Sequence, residues 1–139
     1  EGARMKTSYR LAAERFGVAW LGRRYDRRNP SAADLPNQAI NHAATAVEAA
    51  AAIAVAATAT IPQLGFIHED SDQSFVLDIA DLFRAAITLP VAFKAAARAK
   101  KTPEVSIDRL VRRAAATAFQ REQLIAKMIE RIKNLFERE

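Results

Sequence analysis

The run Pro36–Ala57, PNQAINHAATAVEAAAAIAVAA, decides how the rest of the chain is read. It carries no helix breaker after its opening proline, and Asp34 stands just ahead of it as an N-cap. One long helix is predicted. Alanine puts little side chain between backbones, so neighbouring helices can approach this one closely. Residues 43–57 are almost wholly apolar, but Glu48 interrupts them and alanine is only weakly lipophilic. A membrane span would need about 20 more strongly apolar residues in a row. The run is therefore predicted to be the buried helix of a packed core.

Helical spacing continues on both sides. Met5, Tyr9, Ala12 and Phe16 recur at three- and four-residue steps over residues 2–16, with Gly17 as C-cap. Residues 18–34 contain Gly22, Asn29, Pro30 and Ser31 and read as a connection. Residues 58–72 break the pattern with Pro62, Gly65 and a polar cluster. A helix is predicted from near Gln73 to about Ala86, where Pro90 forces an end or a kink. A short helix follows to about Ala99, then a turn over Lys100–Pro103. Ser106 caps a terminal helical region bent near Phe119, with Leu110, Phe119, Leu124, Met128, Ile132, Leu135 and Phe136 among its apolar residues. No stretch alternates in the manner of a strand, and no internal repeat is present. The expectation is an all-α single domain of five or six helices spanning residues 1–139.

Composition narrows the function. The 139 residues are 50% apolar, with four glycines and no cysteine. That excludes disordered tails, disulfide scaffolds, zinc ribbons and cysteine nucleophiles. The net charge of +5 hides a segregation along the chain. Residues 1–30 carry eight basic residues against three acids, residues 34–93 seven acids against Arg84 alone, and residues 94–139 twelve basic residues against six acids. An acidic centre between basic arms suits a cation at the carboxylates and a polyanion held across them. Ordinary solvated helix surface gives the same tally, and both readings stand.

Three groups are chemically notable. His42 lies on the long helix among Ile40, Ala43 and Ala46 and reads as a structural histidine with its hydrogen bonds satisfied. His68 ends the apolar stretch Leu64–Ile67 in a connection directly before acids, and reads equally as a loop residue or a site residue. Asp78 and Asp81 sit one helical turn apart, about 60° round the axis, beside a buried stripe of Phe75, Ile79 and Phe83. Two like charges so close repel; a bound cation would relieve them, and so would the dipole of a nearby helix N-terminus. Carboxylate and imidazole without thiolate suit Mg²⁺ or Mn²⁺. There is no glycine-rich phosphate loop, no HExxH and no nucleophile elbow. Metal-assisted chemistry on a phosphodiester is the strongest catalysis these residues permit.

The motifs also carry a resemblance. Gly65-Phe66-Ile67-His68, then Ser74-Phe75-Val76-Leu77-Asp78-Ile79-Ala80-Asp81, then Pro90-x-x-Phe93, closely resemble the CRISPR-associated integrase of spacer acquisition, most of all its type I-E branch. Glu1-Gly2-x-Arg4, Trp20-x-Gly22-Arg23-Arg24-Tyr25-Asp26 and Asn37-Gln38 match the same family in order and approximate spacing. The resemblance implies a C-terminal helical catalytic domain that follows a β-rich dimerisation domain in the whole protein. It implies a cytoplasmic prokaryotic endonuclease and integrase, acting on DNA as a homodimer with a small ferredoxin-like partner protein. By motif, the Mg²⁺ or Mn²⁺ ligands are Glu1, His68 and Asp81, with Asp78 lining the same acidic site. Arg4, Arg23, Arg24, Tyr25, Arg27 and Arg28 are candidates for DNA contact.

The chain departs from the family in places. Glu69-Asp70-Ser71 stands where relatives commonly have Thr-Gly-Lys, which disfavours DNA contact there, and Glu48 stands where an aromatic is expected. With Glu1 at its first position, the chain reads as a piece of a longer protein, and the piece alone is expected to be inactive. The competing expectation is a non-catalytic helical module for nucleic-acid binding or assembly.

Overall fold

The computed structural model describes residues 2–59 and 72–137. Among these residues there is no strand, and six α-helices form one packed unit: α1 (Ala3–Phe16), α2 (Leu35–Ala59), α3 (Asp72–Leu82), α4 (Leu89–Lys101), α5 (Ile107–Glu122) and α6 (Leu124–Glu137). A 3₁₀ turn over Pro30–Ala32 precedes α2, and a π-helical turn over Arg84–Thr88 joins α3 to α4. The all-α expectation holds.

The alanine run is the axis of the fold. α2 packs against α3, α4, α5 and α6. Its buried residues, among them Ile40, Ala43, Val47, Ala51, Ala54 and Thr58, recur at helical steps along one side of the cylinder. By length and composition alone α2 could cross a membrane. Four other helices pack on its buried side and account for the apolar residues there. Asp34 caps it as predicted: the Asn37 backbone N–H donates to Asp34 Oδ1 at 3.0 Å. Gly17 ends α1 in the left-handed region with φ 66°.

Two joints differ from the expectations. Pro90 does not end a helix; it lies at the start of α4, directly after the π-helical turn. The disturbance falls earlier, in the widened turn, where the N–H groups of Ile87 and Thr88 both reach the Phe83 carbonyl, at 2.8 and 3.3 Å. A proline ring clashes with the carbonyl four residues back, and a turn wider than α relieves that clash without breaking the rod. The bend predicted near Phe119 lies at Gln123, which takes φ 49° between α5 and α6. Glutamine carries no signature for that conformation, so spacing alone could not place it. Leu135, grouped with the apolar face of the terminal region, points outward at 46% exposure.

Candidate functional site

The connection between α1 and α2 is irregular but firmly held. Trp20 stacks on Tyr9 of α1, centroids 5.3 Å apart, and meets Phe93 of α4 edge-on, also at 5.3 Å. The tryptophan of the arginine motif is thus a packing anchor. Two residues on, Gly22 adopts φ 107°, a conformation that glycine reaches readily and other residues do not. Its carbonyl accepts from Asn37 Nδ2 at 3.0 Å.

Asn37 is fully buried in the first turn of α2 and joins the two segments. Its Nδ2 also donates to Asp34 Oδ1 at 2.7 Å, and its Oδ1 accepts from the Arg24 backbone N–H and from Arg23 Nη1, both at 2.9 Å. Arg23 Nη2 donates in turn to Asn41 Oδ1, and the guanidinium carbon lies 5.7 Å from the Tyr25 ring centroid. Withdrawal from water lowers the Arg23 pKa below the usual arginine range; the Tyr9 hydroxyl opposes that shift and the charge of Arg84 adds to it. Sequence reading marked Asn37 only as a motif match. A polar side chain opening an apolar helix was the available signal that it is a buried hub.

Asp78 and Asp81 both lie exposed on α3, while Phe75, Ile79 and Phe83 on the neighbouring stripe turn toward the core. Asp81 Oδ1 stands 3.9 Å from Arg84 Nη1, with the aspartate side chain 72% exposed and the arginine 20%. Arg84 Nε is buried with no hydrogen-bond partner among the described residues. One of the two exposed carboxylates, Asp81, thus stands beside a largely sheltered guanidinium. Glu1 and His68 lie outside the described residues, as do Glu69, Asp70 and Ser71. Among the described residues no three histidine, aspartate or glutamate side chains gather as a metal-ligand group.

The basic candidates divide by environment. Arg23 is tied to α2 through Asn37 and Asn41, so it is a structural strut as well as a charge. Arg4, Arg24, Arg27 and Arg28 are exposed, and Tyr25 is 51% exposed. His42 is a correction. It is exposed and has no hydrogen-bond partner among the described residues, so it is not a satisfied core histidine. The α2 stripe that carries it faces the 25–31 segment rather than the helix core.

The sequence profile described as CRISPR associated protein Cas1 matches residues 13–130. This chain belongs to the Cas1 family. It is 40% identical over 136 residues to CRISPR-associated endonuclease Cas1 2 of Thermus thermophilus, covering 98% of this chain and 41% of that protein. It is 36% identical over 135 residues to the Cas1 endonuclease of Geobacter sulfurreducens, covering 97% of this chain and 43% of the relative. The Escherichia coli Cas1 endonuclease is likewise 36% identical over 135 residues, with the same coverage. The chain therefore spans less than half the length of these Cas1 relatives. Among solved structures, a TtCas1–DNA complex superposes with a TM-score of 0.82 at 39% identity, over 97% of this chain and 50% of that one. A structure titled TtCas1 gives 0.73 at 36% identity over 97% and 48%. At these identities Cas1 membership and the helical architecture agree.

Proposed function

We propose that the full-length protein is a metal-dependent DNA integrase and endonuclease of CRISPR adaptation, of the type I-E-like branch. The observation that carries the reading is the exposed carboxylate pair of α3, with Arg84 beside Asp81, in a chain of the Cas1 family. The reaction is transesterification: the 3′-hydroxyl of a captured DNA fragment attacks a phosphodiester of the CRISPR repeat and releases the 3′-oxygen of the cut strand. Water in place of that hydroxyl gives hydrolysis.

The donor set fits a hard divalent cation. Asp78 and Asp81 offer carboxylate oxygens one turn apart, and among the described residues Arg84 meets only Asp81, at 3.9 Å. Glu1, His68 and Asp81 would hold Mg²⁺ or Mn²⁺, with Asp78 beside them. Such an ion supplies a lowered pKa for an attacking hydroxyl and charge stabilisation at the phosphoryl oxygens. Arg84, beside Asp81, would meet a phosphate held at the carboxylates and help orient it. Arg4, Arg24, Arg27 and Arg28 grip the backbone further along. A homodimer built through the β-rich domain, and a small ferredoxin-like partner protein, complete the assembly in the cytoplasm.

The test replaces His68 or Asp81 by alanine in the full-length protein and measures strand transfer with Mn²⁺. Loss of transfer, with loss of Mn²⁺ binding by calorimetry, is the expected result. Undiminished transfer ends the ligand assignment. A non-catalytic DNA-binding module would instead show salt-sensitive DNA affinity indifferent to Glu1 and Asp81.

A further inference from the structure

Arg84 opens the widened turn, and the backbone there is held from both sides: Phe83 packs on the core, and Ile87 and Thr88 are buried. The side chain is not held. A guanidinium carries five N–H donors, yet this one forms no hydrogen bond among the described residues. Its Nε is buried without a partner, and its Nη1 contact with Asp81, at 3.9 Å, is too long for one. Other arginines of the chain differ. Arg23 is tied to Asn37 and Asn41, and Arg112 donates to Asp108 at 2.7 Å.

Folding gives no reason for such a group. A charge sheltered from water without close partners is destabilising, and an apolar side chain of similar length would fill the space without that cost. Asp81 is left equally loose: its side chain is mostly exposed, and Arg84 is its one ion-pair partner among the described residues. The long contact therefore joins two groups that each keep room for a better partner. The carboxylate is open to a cation. The guanidinium is open to an oxyanion, and its planar fork of donors suits a phosphate.

An immobile charge at Arg84 would oppose a cation at Asp81 by the same amount whether or not DNA is bound. A side chain that changes partner does not. Paired with Asp81 it competes with the cation; drawn to a phosphate it frees the carboxylate, so each ligand then favours the other. We propose that Arg84 switches in this way: it pairs with Asp81 while neither ligand is bound, passes to a DNA phosphate when DNA arrives, and so couples divalent-ion affinity to DNA binding. Arg84 acts here through Asp81, as a positioning residue. The inference rests on the metal and DNA reading above and deepens it, by making the acidic pair load its ion on the substrate rather than away from it.

The test is a linkage measurement. Free Mn²⁺ is followed by electron paramagnetic resonance in titrations of the full-length protein, alone and with a saturating DNA duplex. The unaltered protein is compared with Arg84→Met, Arg84→Gln and Arg84→Lys. Direct attraction between ion and phosphate raises Mn²⁺ affinity in every variant, so the decisive quantity is how far the DNA-induced rise differs between them. That rise should be about tenfold larger in the unaltered protein than in either neutral variant. Without DNA, both neutral variants should bind Mn²⁺ more tightly than the unaltered protein. Arg84→Lys should return most of the DNA effect, because it keeps a mobile charge. Arg84→Met keeps the apolar stem and should melt no lower than the unaltered protein. A DNA-induced rise that agrees within about twofold in the unaltered protein and Arg84→Met overturns the switch and leaves an immobile charge. Failure of Arg84→Met to fold overturns it too, because the fold would then need the charge. Mn²⁺ binding unchanged by Asp81→Ala removes the ligand reading instead, and failure of the unaltered protein to bind the duplex removes the DNA reading.

Discussion

Asn37 Oδ1 receives the Arg23 guanidinium and the Arg24 backbone N–H at the same distance, 2.9 Å, from inside a fully buried site. One amide thus sets where the arginine segment runs and how its first side chain points. Asn37→Ala would leave the Arg24 N–H and the Gly22 carbonyl without their partner. A loss of about 1–3 kcal/mol is expected, read as a lower urea midpoint. Trp20 emission should move with it, since the segment that carries Trp20 loses its tie to α2.

Phe93 is wholly buried and bears edge-on against Trp20. Phe93→Ala should cost about 3–5 kcal/mol in chemical denaturation, because α2 and α1 are both fixed around it and close the cavity poorly. Trp20 is the only tryptophan, so its fluorescence reports the transition without a label. A cost under about 1 kcal/mol would show that the site collapses freely.

Gln123 holds φ 49° at the joint of α5 and α6. Glycine adopts that conformation without the Cβ penalty but adds freedom to the unfolded chain. The balance favours Gln123→Gly by about 0.5 kcal/mol, and Gln123→Val should destabilise. Thermal melts of the two variants check the sign.

Asp78 and Asp81 repel at three-residue spacing. Asp78→Asn is expected to stabilise the metal-free protein by about 0.3 kcal/mol, a typical like-charge term on a helix. The same change should weaken Mn²⁺ binding in the full-length protein. Gain of stability with loss of ion affinity would mark a residue kept for chemistry rather than folding. Matched melts and calorimetry show both.

The pH dependence follows from two exposed carboxylates. The Ser106 hydroxyl and then Arg112, at 2.7 Å, hold Asp108 below its ordinary 3.8; Lys127 at 2.9 Å and then Arg121 hold Glu122 below 4.5. A lowered folded pKa contributes stability above the unfolded value and loses it as pH falls through the folded one. The melting-temperature gap between the chain and its Asp108→Asn, Glu122→Gln double variant should therefore be constant at neutral pH. It should close once pH drops below about 4.5, where both groups begin to take up protons.

Much of the architecture is legible because local and global demands agree. The alanine run, the Asp34 cap and the Gly17 terminus each state in sequence what packing then uses. The two displaced joints lack such agreement. Pro90 advertises a break, but the relief is taken by ordinary residues from Phe83 to Thr88, and Gln123 turns with no glycine to announce it. For the site, Asp78 and Asp81 could be selected from spacing and lie exposed as a pair. His42 is not legible in this way because its sequence neighbours are apolar, whereas it shares the lining of a recess with Tyr25 and Gln38. Period alone says which face a residue is on, not what stands opposite.

The widened turn at Arg84–Thr88 acts as a one-residue insertion in an otherwise continuous rod. Five residues of such a turn sweep about the angle that four sweep in an α-helix, so removing one would restore α geometry and leave α3 and α4 in nearly the same phase. Forcing all five into α geometry would instead turn α3 by about 100° against α4 and carry Asp78 and Asp81 round the axis. The local helical phase, more than any single contact, governs the azimuth of the acidic pair. A chain shortened by one residue there should keep both its core and the direction of its carboxylates.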